Sequence, residues 1–193
     1  MSKGKKEKRI HFMNKKIRWI TETAVMLALL VSLQALTKPM GQLVTGSCVN
    51  AILAVAVLVA GLGSGVTIAL ISPVLAYLLG IAPQILTVPA IMVGNTVYVL
   101  VLHFLVGKDG RNAVIKVMGW LAAAIAKFAA LYFIVVKIVC GVLAPSLLSS
   151  GVMKEPMLKA LPATFSWPQL FTALIGGAVA LLIVPVLRKA LHK

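Results

Sequence analysis

Acidic side chains are nearly missing from this chain: four Asp and Glu stand against nineteen Lys and Arg, a formal charge of +15. A soluble surface mixes both signs, so the balance speaks against an ordinary soluble domain. Cysteine is sparse too. Cys48 and Cys140 allow at most one disulfide, and two free buried thiols are the default expectation. No G-x-x-x-x-G-K-[ST] loop is present to cradle ATP phosphates, which excludes the usual route to ATP hydrolysis. His11, His103 and His192 fall in no H-E-x-x-H or other metal spacing. Ser32, Ser47 and Ser72 have no embedded His-Asp support. An enzyme reading finds no active site in the sequence, and neither a metal nor a cofactor is expected.

What is abundant is apolar sequence, 61% of the residues. Six apolar stretches are separated by the positive charge in a pattern that fixes a topology. Lys3, Lys5, Lys6, Lys8, Arg9, Lys15, Lys16 and Arg18 form a first cluster, Lys108, Arg111 and Lys116 a second, and Arg188, Lys189 and Lys193 a third. Positive charge near a span is retained on the cytoplasmic face. Four spans between the first two clusters and two between the last two place all three inside. The expectation is an all-α integral membrane protein, a compact six-helix bundle with both termini cytoplasmic. Residues 1–17 form a basic tail and residues 18–190 one membrane domain. The charge is read as a retention signal with affinity for anionic membrane lipid, and no nucleic-acid partner is expected. Residues 19–36 are too long for a signal-peptide core and lead into further spans, so they count as span 1.

Lys38-Pro39 ends span 1, and an outer loop over residues 37–46 carries Gln42 and Thr45. Spans 2 and 3 share residues 47–79 around an inner turn at residues 61–65. About 16 residues each, they are near the minimum for a ~30 Å hydrocarbon core. Span 4 covers residues 84–106 and span 5 residues 113–140, which at 28 residues is about 42 Å long and must tilt or protrude. The longest outer segment, residues 141–166, carries Pro145, Pro156 and Pro162. Span 6 covers residues 167–187. Trp19 and Trp120 then sit at the inner interface and Trp167 at the outer one, as an aromatic belt requires. Inner connections are short while two outer loops are long, so the outer face is where a ligand is expected.

The polar residues inside the spans narrow the site. No carboxylate lies at mid-membrane depth, where ion-driven carriers commonly place one; Glu22 falls four residues after Arg18, a spacing for a helical ion pair. Lys127 lies at the middle of span 5, where a lysine costs on the order of 3 kcal/mol. It either faces a ligand cavity or is hydrogen-bonded or neutralised within the bundle. Lys137 is ten residues further out, about 80° away on an ideal helix, so both lysines can border one cavity; the alternative for Lys137 is snorkelling to the outer headgroups. Asn50 and Asn95 are ligand contacts or interhelical hydrogen-bond links. Tyr132 and Trp167 are candidates to wall an organic ligand or simply pack. Gln42 and Thr45 complete the candidate substrate-binding set, with Gln34 and Lys38 placed near a lid.

Span 1 carries a separate signal. Ala24, Ala28 and Ser32 fall at i, i+4 and i+8, a small-residue stripe that lets another helix approach closely. Residues 24–28, Ala-Val-Met-Leu-Ala, match the A-x-x-x-A motif of helix 1 in a known family. Residues 41–47, leading to Asn50, are similar to its first-loop segment. With six spans in under 200 residues, the chain over about residues 18–190 resembles the substrate-binding S component of an energy-coupling factor (ECF) transporter.

The resemblance implies that the stripe docks on a transmembrane T component. It also implies capture of a small-molecule ligand from outside and release inside by toppling in the membrane, driven by two cytoplasmic ATPase subunits. Substrates of this family include thiamine, riboflavin, biotin, folate, pantothenate and cobalamin. Lys127 and Lys137 together suggest that the ligand is anionic. The competing reading from the residues is a self-contained small carrier or facilitator.

Overall fold

An apolar run in hydrocarbon has no water to satisfy its peptide groups, so it pairs them internally as helix. The computed structural model describes the backbone of residues 3–81, 84–107 and 112–191, with side chains from residue 14 onward. The basic side chains of the tail before that point, together with Pro83, Lys108, Arg111, His192 and Lys193, lie outside the described residues. Among those described, every regular element is helical.

Helix α1 spans Lys3–Thr37, a short 3-10 turn Lys38–Met40 follows, and α2 spans Gln42–Val55 before widening into a π-helical stretch, Ala56–Ala60. Helices α3 and α4 span Leu62–Leu78 and Val88–Leu105. Helix α5 spans Ala113–Leu131 and runs on as π-helix over Tyr132–Val142. The short α6, Ala144–Ser149, and α7, Glu155–Phe165, lead to α8, Trp167–Ala190. Five of these segments are long and apolar enough to cross a membrane: Asn14–Met40, Gln42–Ala60, Ile85–Leu105, Ala113–Val142 and Trp167–Ala190. Helix α3 is apolar but has 17 residues. The molecule is an all-helical, multi-pass membrane protein.

Several expected boundaries move. The loop expected over residues 37–46 is mostly structured, because Gly41 takes a left-handed φ of 90° that reverses the chain in one residue and starts α2 at Gln42. At residues 61–65 only Gly61, with φ of 92°, lies outside helix. The segment 141–166 contains α6 and α7, since Pro145 and Pro156 occupy opening helical turns, where a missing N–H is harmless. Cys48 and Cys140 are both half-buried and unbonded.

Helix α2 packs most extensively on α8, and α4 on α5, with α1 laid against α2 and α3. Small residues make this closeness possible: Ala54, Ala56, Ala69, Ala123, Ala124, Ala173 and Ala180 are buried in the main core. A Cβ added at Gly176 would sit 2.5 Å from the Ser47 carbonyl oxygen and 2.7 Å from the Ala51 nitrogen. Backbone cannot swing aside. Gly176→Ala is therefore expected to force α2 and α8 apart and destabilise the fold by about 1–3 kcal/mol, seen as a lower thermal midpoint in detergent. A second core, built from Ala90, Leu131, Val135, Met153, Leu161 and Phe165, seats α7 and the segment before it on α4 and the π-helical end of α5.

Candidate ligand site

Helices α1, α3 and α5 end, and α2, α4 and α8 begin, at the same end of the bundle, where the last residues of α7 border a cavity. Three polar side chains meet at its floor. Lys127 of α5 is 3% exposed and donates to Asn50 Oδ1 of α2 at 2.6 Å and to Asn95 Oδ1 of α4 at 2.7 Å. Nζ donates to both, so both amides turn their oxygens to it. The Asn50 amide is held in that orientation from its other side. Its Nδ2 donates to the Gly46 carbonyl at 2.9 Å and to Thr172 Oγ1 of α8 at 3.2 Å. Thr172 in turn donates to the Gln169 carbonyl at 3.1 Å. Tyr98, one turn from Asn95, places its ring centroid 5.5 Å from Lys127 Nζ and donates to the Ala173 carbonyl at 3.2 Å. One network thus ties α2, α4, α5 and α8.

Above it lies a cavity of about 190 Å³, bordered by Lys127, Asn50 and Asn95. Gln34, Lys38, Gln42 and Thr45 line it from the α1–α2 corner, and Thr164, Phe165 and Gln169 from the α7–α8 corner. The mouth is braced. Lys38 Nζ donates to the Gly80 carbonyl at 2.5 Å, and Thr45 Oγ1 to the Thr37 carbonyl at 2.8 Å. Gln169 Nε2 donates to the Thr164 carbonyl at 3.2 Å, fastening α8 to the end of α7. Gln34 Oε1 is buried and accepts no hydrogen bond from the described residues. Among the described residues the carboxylates are Glu22 and Glu155, which pair with Arg18 at 2.8 Å and Lys159 at 3.6 Å. Among the described residues Lys127 meets neutral oxygens and a ring face, and no carboxylate lines the cavity.

Of the residues singled out in the sequence, Lys127, Asn50, Asn95, Gln42 and Thr45 converge here. Lys137, Tyr132 and Trp167 do not. Lys137 is exposed, with Nζ 5.7 Å from the Tyr132 ring centroid. Tyr132 and Trp167 flank Phe128, at ring-centroid distances of 5.8 and 5.7 Å, and Trp167 is 63% exposed. The 80° separation assumed an ideal α-helix, whereas α5 becomes π-helical at Tyr132 and its i→i+5 bonding changes the angular phase. The sequence reading missed Gln169, Thr172 and Tyr98. Gln169 and Thr172 are the polar pair at i, i+3 in the opening turn of an otherwise apolar span, a signal that was there to use.

Ala24, Ala28 and Ser32 are exposed on α1, on the face turned away from buried Thr23 and Leu30. Thr23 and Ser64 share a 2.8 Å hydrogen bond that fixes α1 against α3, so the stripe is left outward.

A polar cavity in a multi-pass bundle fits a binding subunit. The model of the family described as ECF transporter, substrate-specific component, matches residues 18–188. The chain belongs to this family. It is a substrate-binding membrane subunit of an ECF transporter. No curated protein and no solved structure matches the chain.

Proposed function

We propose that this S component captures one small organic anion, of the vitamin or micronutrient class, in the cavity above Lys127, from the outside of the cell. The observation that carries the reading is Lys127 itself, deeply buried on the oxygens of Asn50 and Asn95 with no carboxylate beside it. A carboxylate or phosphate on the ligand supplies the missing charge, and charge-assisted hydrogen bonds are the strongest available there. The unpartnered oxygen of Gln34 favours a donor elsewhere on the same ligand. At about 190 Å³ the cavity is smaller than the usual ~300–1,000 Å³ of small-molecule sites, which favours a compact ligand. Asn50, Asn95, Gln42, Thr45 and Gln169 orient it. Lys137, Tyr132 and Trp167 are left outside the proposed contact set.

Release is assigned to partners. The exposed Ala24–Ala28–Ser32 face docks on the T component, and two cytoplasmic ATPases drive toppling and release. Uptake of the retained compound into vesicles tests this: none is expected with the chain alone, and ATP-dependent uptake once the T component and ATPases are added. Accumulation by the solitary protein contradicts the partner-powered reading and establishes a self-contained carrier.

The six-span topology, α3 included, with cytoplasmic termini, follows from the charge clusters. At 17 residues α3 is about 26 Å long, enough for a steep crossing. Cysteine labelling in a background lacking Cys48 and Cys140 checks it. Met153 is 2% exposed and unsuitable as a reporter, so exposed Ser150 and Ala113 are used instead. An impermeant reagent on intact cells is expected to label Ser150→Cys and spare Ala113→Cys. The reverse pattern overturns the orientation.

A further inference from the structure

Behind the cavity floor the hydrogen bonds run in one sense. Lys127 Nζ donates to Asn50 Oδ1 at 2.6 Å, Asn50 Nδ2 to Thr172 Oγ1 at 3.2 Å, and Thr172 Oγ1 to the Gln169 carbonyl at 3.1 Å. A backbone carbonyl only accepts, so it sets the direction of the bonds that lead to it. The Thr172 hydroxyl has a single proton. With that proton committed to Gln169, its oxygen is left to accept from Asn50. The Gly46 carbonyl, also an acceptor only, takes a second bond from Asn50 Nδ2 at 2.9 Å.

The end of an asparagine side chain is nearly symmetric in shape, and a half-turn exchanges its oxygen with its NH2. After such a turn Asn50 would point N–H at Lys127 Nζ, in place of the oxygen that now accepts from it, and Lys127 would lose its anchor on α2. Thr172 and Gly46 oppose that turn from the far side of the amide. Thr172 is fully buried on α8 and stands outside the cavity lining, so its hydroxyl reaches the cavity through Asn50. A lysine stem is flexible, and fixing its amine before a ligand arrives lowers the ordering cost of binding. Hydrogen bonds linked in one sense also polarise and strengthen one another.

We propose that Thr172 is a positioning residue for ligand capture: its hydroxyl, without touching the ligand, sets the Asn50 amide so that Lys127 is held at the cavity floor. The proposal rests on the ligand reading at Lys127 and adds α8 to the elements that decide affinity.

Two substitutions separate the hydroxyl from the shape. Thr172→Val keeps the branched side chain and removes the hydroxyl. Thr172→Ser keeps the hydroxyl and removes the methyl that faces Gly46, where an added Cβ would come within 2.7 Å of Thr172 Cγ2. The probe is the compound that co-purifies with the wild-type chain, identified by its mass and titrated as the pure substance into full-length protein freed of it by dialysis. Thr172→Val is expected to bind it about five-fold or more weakly, as the loss of one net hydrogen bond implies. Thr172→Ser is expected to stay close to wild-type affinity. Thr87→Val is the matched control: Thr87 is equally buried, and its hydroxyl donates to the Gln84 carbonyl three residues back at 2.9 Å, outside this chain of bonds. It is expected to leave affinity unchanged, and thermal midpoints in detergent establish that each variant is folded.

Wild-type affinity in folded Thr172→Val protein overturns the proposal. A serine variant as weak as the valine one overturns it too, because the methyl would then be decisive, and so does an equal loss in Thr87→Val. An empty wild-type chain overturns the ligand reading itself, and the proposal with it.

Discussion

Lys127→Met is expected to weaken binding of the retained anion at least about ten-fold, equivalent to about 1.4 kcal/mol, because the buried amine proposed to meet the anion is removed while side-chain volume is roughly kept. The protein should still fold. Two opposing effects decide this. Asn50 and Asn95 each lose a donor to a buried amide oxygen, which costs on the order of 1–3 kcal/mol apiece. Against that, a lysine no longer has to enter the membrane interior, a gain of about 3 kcal/mol. The two terms are comparable, so the net change in stability is small and the binding defect can be read separately by titration. Wild-type affinity in a folded Lys127→Met protein would mean that the lysine is a bundle fastener and the ligand uncharged.

The second large effect concerns partner recognition. Ala24→Trp or Ala28→Trp is expected to abolish association with the T component and ATP-driven uptake, leaving ligand affinity of the solitary protein nearly unchanged. Both alanines are exposed on α1, on the face away from buried Thr23 and Leu30, so an indole there is expected to project outward and prevent another helix from approaching. The outward face is preserved because Thr23 and Ser64 hold the opposite side of α1 to α3. Co-purification with a tagged T component reads the result. Intact complexes from both variants would move the interface elsewhere on the bundle.

Membrane class and the five long apolar helices were legible because hydrocarbon imposes helix on every long apolar run. Connections were less so. Proline was read as a loop marker, yet Pro145 and Pro156 open α6 and α7, and a single left-handed glycine, Gly41, replaced what looked like a ten-residue loop. Within the site, Lys127, Asn50 and Asn95 stood out because a polar group in a membrane interior is expensive, and the structure joins them directly. Lys137 does not share the Lys127 cavity as expected, because α-helical phase was extended into a π-helical segment. Gln169 and Thr172 were passed over inside an apolar span, although their contacts close the network from α8.

The central claim is that the cavity above Lys127 holds the ligand, and native mass spectrometry of the solitary protein purified from cells tests it most directly. Val49 lines that cavity, is half-buried and takes no part in the Lys127 hydrogen bonds, so Val49→Trp is expected to fill part of its roughly 190 Å³ while keeping Lys127, Asn50 and Asn95. The account predicts one small organic molecule per wild-type chain, bearing a carboxylate or phosphate, and its loss from folded Val49→Trp protein. An empty wild-type chain, or equal occupancy of the two proteins, would contradict it.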